Sequence, residues 1–438
     1  MSIKIFLFEF THFIRSKAKL FSYLFFMILC VFSIYNGWKI MHEQKDTILE
    51  INDKQDTEIS NIEDWFNSGV KGPEDKPWIN IEDPYSLIRS TPSYVVKDPS
   101  PLLPLGIGQS QQFGFYKKVN RWSSTYDSDM VEEISNYERL INGSIDLSFL
   151  IIFLLPILII ILTYNINGLE KDLKFSKLVN TQINNINFWV LNRLTFYAVL
   201  LILSIDALIL SVGFLSVGPS DIKPVLDLIL ISNIYIISIF IIFYFIISNG
   251  VSSNSIAFKM ISMWLLFCII IPGSVHQYVS MKYPVNYMTD FLDVNRKEID
   301  DLFELEDTVL YNKTLQIHPD LQEHIDSSGK VISSQQIRRS ISTIANQMNI
   351  SVTNNIEIQN ENKNKIIRFS YFFNPVSYMQ NIWNSCTATD YYAYRNYRKK
   401  IQRAINRRND KIVSELWQGN KVDKKTFNKE YLLILSVE

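Results

Sequence analysis

Only three cysteines occur in 438 residues, so a disulfide scaffold is excluded. Two of them, Cys30 and Cys268, fall inside apolar runs, and Cys386 has no partner that spacing identifies. Charge of either sign is not in excess: 43 Lys+Arg face 44 Asp+Glu, a net of -1. That excludes the broad basic field a dedicated nucleic-acid binder needs. Glycine is scarce at 14 residues, while 47% of the chain is apolar and 13% aromatic. Such a balance is wrong for two or three ordinary soluble domains, and the Ile, Phe and Tyr content excludes disorder. Part of the chain therefore belongs in lipid.

The apolar residues come in blocks, and a block crosses about 30 Å of hydrocarbon when it holds roughly 20 helical residues. Residues 19–38, 147–164, 194–217 and 225–248 meet that length. A fifth block, 256–275, is shorter in its apolar part and contains Pro272 and Gly273, which predicts a kink or an unwound outer end. Pro156 in the second block predicts a kink whose freed carbonyl is satisfied by neighbouring helices. Ahead of the first block, Ile3, Phe6, Leu7, Phe10, Phe13 and Ile14 recur at helical spacing opposite Lys4, His12 and Arg15. Residues 1–18 therefore read as an interfacial amphipathic helix. A cleaved signal peptide fits poorly, because the run is long, starts late and ends without a small-residue cleavage site.

Basic residues in short loops set orientation. Lys4, Arg15, Lys17 and Lys19 precede the first span, and Lys171, Lys174, Lys177 and Arg193 fall between the second and third. The expectation is an N-terminus inside and five crossings. Residues 39–146 and 276–438 then form two mostly helical extracytoplasmic segments, and 165–193 a cytoplasmic loop. The basic run Arg395, Arg398, Lys399, Lys400, Arg403, Arg407 and Arg408 sits uneasily on the outer side, although charges in long translocated segments count little. Helices are expected near Glu43–Phe66, Asp127–Ile141, Thr289–Leu310, Ser334–Met348 and Ser377–Arg408, and irregular structure through the proline-rich stretch from Pro73 to Pro104.

Catalytic chemistry is thin. His318 and His324 are six residues apart with acids between, a spacing that matches no familiar metal-ligand helix. Gly106-Ile-Gly108 lacks the lysine and context of a phosphate loop, and no Walker A sequence occurs. No cofactor and no metal are expected on this chain. Asp206, near the middle of the third span, is costly in lipid unless paired, and Asn233 lies at similar depth on the fourth. Either they fix helix packing or they line a pathway. The loop 165–193 begins with an amphipathic stretch holding Glu170, Lys171, Asp172, Lys174 and Lys177, placed where a soluble motor could push.

Four stretches, Phe8–Lys17, Ile145–Pro156, Asn167–Leu178 and Asn374–Ser377 with Thr387–Asp390, resemble in order and spacing the ABC-2 type permease family, in its branch with two large extracytoplasmic inserts. Lys174 and Phe175 stand where relatives carry Gly-Thr, and many relatives have a sixth span. The resemblance implies a multi-pass subunit of the cytoplasmic (inner) membrane, ending outside. It would pair with itself or a similar permease and couple through Glu170, Lys171, Asp172, Lys174 and Lys177 to a separate cytoplasmic ABC ATPase that binds the ATP. Export is the expected direction; a receptor or scaffold with two outer binding segments is the alternative.

Overall fold

The computed structural model describes residues 3–91, 93–126, 145–175, 178–179, 181, 185–217, 222–284, 294–329 and 331–436. Five helices among them are long and apolar enough to cross a membrane, which makes the chain a helical membrane protein. The predicted helix over Asp127–Ile141 lies outside the described residues.

Helix α1 (Ile3–Arg15) is followed after Ser16 by α2 (Lys17–Ser68), a single helix of 52 residues. At 1.5 Å per residue α2 is about 78 Å long. The first span and the helix expected near Glu43–Phe66 are thus one rod, with no break in the helix at position 38. Gly69, with φ 71°, ends it, and its N–H returns to the Trp65 carbonyl. Beyond it, α3 (Pro84–Ser90) is capped by Asp83, and β1 (Ser93–Val96) pairs antiparallel with β2 (Tyr116–Val119), Ser93 facing Val119.

Helix α4, the second span, starts at Leu147 under an Asp146 cap, passes through a π segment at Leu150–Leu154 and runs on as Leu155–Thr163. After a turn comes α5 (Gly168–Asp172). The third and fourth spans are α6 (Ile186–Ser216) and α7 (Lys223–Ser248). The fifth, α8, begins at Ser253, has its own π segment at Leu266–Ile270 and continues through Pro272 and Gly273 to Lys282, so its outer end does not unwind. Two thirds of the most apolar window of α4 is buried, against 17% in α8, which places α4 at the centre of the bundle. Spans one and three run parallel, joined by Lys19 to Tyr197, Tyr23 to Ser204 and Trp38 to Ser216.

The two hydrophilic segments interleave into one unit. Of the expected helix over Thr289–Leu310, residues 289–293 lie outside the described residues, and the rest is split between α9 (Val294–Glu304) and α10 (Asp307–Ile317). Helices α11 (Asp320–Ser328) and α12 (Ser334–Arg339) lead to α13 (Ile341–Ser370), while α14 (Pro375–Cys386) and α15 (Tyr391–Gln418) break the expected 377–408 helix at Thr387–Asp390. Ile62, Tyr85 and Leu87 of the first segment share a core with Ile412, Trp417 and Phe427 of the second. Three members of the basic run are absorbed here, while Lys399, Lys400, Arg403 and Arg407 stay exposed: Arg395 meets Glu357 at 2.9 Å, and Arg398 meets the same carboxylate at 3.7 Å. Arg408, fully buried, donates to Thr91 O at 2.6 Å, Ser93 Oγ at 3.0 Å and Ile88 O. These cations serve folding rather than orientation.

Residues 276–438 are not all outside the bundle. Val376, Met379 and Trp383 of α14 belong to the same core as the spans. Asn374, which caps α14, donates from Nδ2 to Phe267 O at 2.9 Å, halfway along α8. From there α14 climbs until Trp383 Nε1 donates to Leu105 O at 2.9 Å, beside Gly106. The Gly106-Ile-Gly108 turn is pinned by Asp146, whose Oδ2 accepts from the N–H groups of Ile107 and Gly108 at 3.0 and 3.3 Å.

Candidate functional site

The end of the bundle where α1, the start of α2, α5 and the start of α6 converge holds a buried ionic node. Glu9 of α1 has no exposed surface and Arg193 of α6 only 3%. Charges so placed are stable only when paired and hydrogen-bonded. Arg193 Nε donates to Glu9 Oε1, and its Nη1 donates to Glu170 Oε1 at 2.7 Å. The other Glu9 oxygen accepts from Tyr197 OH at 3.0 Å, and that hydroxyl accepts from Lys19 Nζ at 3.0 Å. The indole of Trp189 lies 4.5 Å from the guanidinium and shields it. Two carboxylates and two cations therefore balance, and four chain segments share one set of bonds.

Helix α1 consequently turns a polar edge inward. Glu9 and Phe13 are buried, while Leu7, Phe8, Phe10 and Ile14 stay exposed, free to enter lipid. His12 borders the node; burial first, and Lys19 next, hold its imidazole below its ordinary pKa.

Segment 167–172 is clamped to the turn between the fourth and fifth spans. Asn167, at φ 65°, donates from Nδ2 to Ile247 O at 3.2 Å, and Lys171 Nζ donates to Gly250 O at 2.5 Å. Asp172 Oδ2 accepts from Ser253 N at 3.2 Å, at the start of α8. A Cβ on Gly168 would stand 2.8 Å from Ser253 Cα, so only glycine lets the two backbones approach. The expected amphipathic stretch from Glu170 to Val179 is not one helix: α5 ends at Asp172, Lys174 stands at φ 63°, and helical geometry returns at residues 178–179. Leu173, Lys174 and Phe175 are exposed, and Lys177 lies outside the described residues. Of the loop residues singled out by sequence, Glu170 is thus brought to the third span, Lys171 to the turn between the fourth and fifth, and Asp172 to the start of the fifth, whereas Lys174 is exposed.

At mid-depth the prolines of α4 and α8 repeat one arrangement: a five-residue π segment ends two residues before Pro156 and again two residues before Pro272. A helical proline donates no N–H and its ring crowds the preceding turn, so carbonyls three to five residues back are left over. Tyr235 OH takes up Ile152 O at 2.6 Å, Trp264 Nε1 takes up Phe153 O at 2.9 Å, and Asn374 Nδ2 takes up Phe267 O. The gap left among Pro156, Phe243, Trp264, Cys268 and Val376 is about 10 Å³, room for at most one water. Nearby, Asn233 Nδ2 donates to Asp206 Oδ2 at 3.1 Å, bringing together the two intramembrane polar residues. Asp206 Oδ1 and Asn233 Oδ1 have no partner among the described residues.

Sequence reasoning missed Glu9, Lys19 and Tyr197 as a set, since nothing local links them to Arg193. The usable signal was an acid on the apolar-flanked edge of α1, at Glu9. Among the described residues no three His, Cys, Asp or Glu side chains cluster as metal ligands do. Compared with protein-family models, curated proteins and solved structures, the chain matches none of them.

Proposed function

We propose that this chain is the membrane-spanning permease subunit of an ABC-2 type transporter, an exporter whose energy comes from a separate cytoplasmic ATPase. The observation that carries the reading is the Glu9–Arg193–Glu170 link. A push on the loop at Glu170 reaches the interfacial helix and the third span through one guanidinium, and reaches the fourth and fifth spans through Lys171 and Asp172. A packed node of this kind moves as a unit between discrete arrangements. Leu173 and Phe175, exposed beyond it, are the surface offered to the motor.

Basic residues at this end of the spans favour the cytoplasmic side for the node and the opposite side for the interleaved unit. The tight centre of the bundle favours a pathway between two subunits, this chain paired with itself or a similar permease. Asp206 and Asn233 then serve helix packing, or line that path, in the half of the membrane nearer the interleaved unit.

The test is cysteine cross-linking. A cysteine at Leu173 or Phe175 should cross-link to a co-expressed ATP-binding subunit and be labelled only from the cytoplasm. Labelling of Phe175→Cys by a membrane-impermeant reagent from outside intact cells would overturn the reading, as would ATPase turnover indifferent to the permease.

A further inference from the structure

The interleaved unit carries a cavity of about 440 Å³ lined by Trp78, Ile79, Asn80, Asp83, Tyr85, Ser86, Arg89, Ser90 and Arg339. Its volume is that of a small-molecule site. Two arginines distant in sequence, Arg89 and Arg339, line it, and a third, Arg121, meets the lining residue Tyr85. Arg339 lies 4.4 Å and Arg121 5.0 Å from the ring of Tyr85, whose hydroxyl accepts from Arg121. Arg339 meets one carboxylate, Asp83, at 3.5 Å. That same Asp83 is already engaged in capping α3 through Ser86 N at 3.3 Å. Arg89 is exposed on the wall. Arginines 89, 121 and 339 against Asp83 leave an excess of positive charge at this one place in a chain that is otherwise neutral overall.

Trp78 lines the cavity and is 73% exposed, so its indole is open to a ligand. Asn80, Ser86 and Ser90 share the lining, Ser90 Oγ donating to Ser86 O at 2.8 Å. Asn80 uses its Oδ1 on Glu82 N at 3.0 Å, which leaves its amide hydrogens for a ligand. Ser86 Oγ accepts from Asn80 N at 2.9 Å, which leaves its own hydrogen. The wall is therefore rich in donors, with one aromatic face at its edge.

We infer that this cavity binds a small anionic saccharide, its sugar face stacked on Trp78 and its carboxylate or phosphate held by Arg89 and Arg339. A planar guanidinium pairs bidentately with either anion, and a pyranose offers both a C–H face for the indole and hydroxyls for Asn80 and Ser86. The inference stands apart from the transport reading and does not depend on it.

Calorimetry on the purified full chain in detergent tests it, with glucuronate, glucose 6-phosphate, glucose, AMP and inorganic phosphate as probes. Glucuronate and glucose 6-phosphate should each bind at least about tenfold more tightly than glucose, the difference one charge-assisted pair supplies. Arg89→Gln should weaken both anions about tenfold by the same argument. Trp78→Ala should weaken glucose 6-phosphate and leave inorganic phosphate unchanged. Arg89 and Trp78 are exposed, so both variants should keep the wild-type melting temperature. Failure of both sugar anions to bind, or binding untouched by Arg89→Gln, would overturn the site. Inorganic phosphate matching glucose 6-phosphate, or AMP exceeding it, would overturn the saccharide assignment.

Discussion

The guanidinium of Arg193 donates to Glu9 and to Glu170 at once, so the interfacial helix and the loop after the second span are held by a single side chain. Removing one member of such a buried set leaves an uncompensated charge, whereas removing charges together relieves it. Arg193→Met should therefore cost about 3–5 kcal/mol, because Glu9 is left buried and unpaired. Glu9→Leu combined with Arg193→Leu should recover part of that loss, since Glu170, with 18% of its side chain exposed, lies nearer solvent than the fully buried Glu9. Thermal unfolding in detergent, wild type against the single and double variants, measures it. A double variant less stable than Arg193→Met would show that the pairing is not what holds the node.

Tyr235 and Pro156 make a second pair with a defined coupling. Ile152 O is the acceptor that an α-helix would assign to the N–H of residue 156, and the tyrosine hydroxyl takes its place. Tyr235→Phe should cost about 1–3 kcal/mol by stranding a buried carbonyl. In a Pro156→Ala background the restored N–H can serve that carbonyl, so the same change should cost less. The expected coupling is roughly 1 kcal/mol, within the range for residues that share a partner. Additive losses would mean that the freed carbonyl is satisfied otherwise.

Sequence reasoning read the spans because apolar length is a local property: residues 225–248 fall within α7, and 194–217 match α6 to within one residue at its end, although α6 begins eight residues earlier, at Ile186. Asp206 and Asn233 were legible for the same reason, as each is conspicuous in an apolar run. What was not legible depended on distance in sequence. Glu9 meets Arg193, Arg408 meets Ile88, and Arg339 meets Tyr85 only after the chain has folded back on itself. The entry of α14 between the spans was hidden too, because Pro375–Cys386 is too short and too polar to resemble a crossing. Its depth shows only through partners, Phe267 below and Leu105 above.

Gly168 and Gly273 should respond oppositely to alanine. At Gly168 the new Cβ would meet Ser253 Cα at 2.8 Å and N at 2.9 Å, backbone atoms that cannot swing aside. Gly168→Ala should cost about 1–3 kcal/mol as an overpacked contact and loosen Asp172 from Ser253. Gly273 lies in the helical run after Pro272 with nothing within 4 Å of the added carbon. Gly273→Ala should be neutral or stabilising by about 0.5–1 kcal/mol, the gain in helix propensity. Melting temperatures of the two variants, compared with wild type, would expose an error in either placement.

His12 should make the node sensitive to mild acid. Burial, then Lys19 and Arg193, press its pKa below the ordinary imidazole value of 6.5, and Glu9 and Glu170 offset this only in part. Its Nδ1 also lacks a hydrogen-bond partner among the described residues. Between the folded pKa and 6.5 the unfolded chain binds more protons at this site than the folded one. Stability from His12 is therefore complete above pH 6.5 and falls as pH drops through that window. The melting temperature of the wild type should decline from pH 7 to pH 5 more steeply than that of His12→Gln, which cannot take up the proton. Parallel pH profiles for the two proteins would show that the imidazole charges as readily in the folded chain as in the unfolded one.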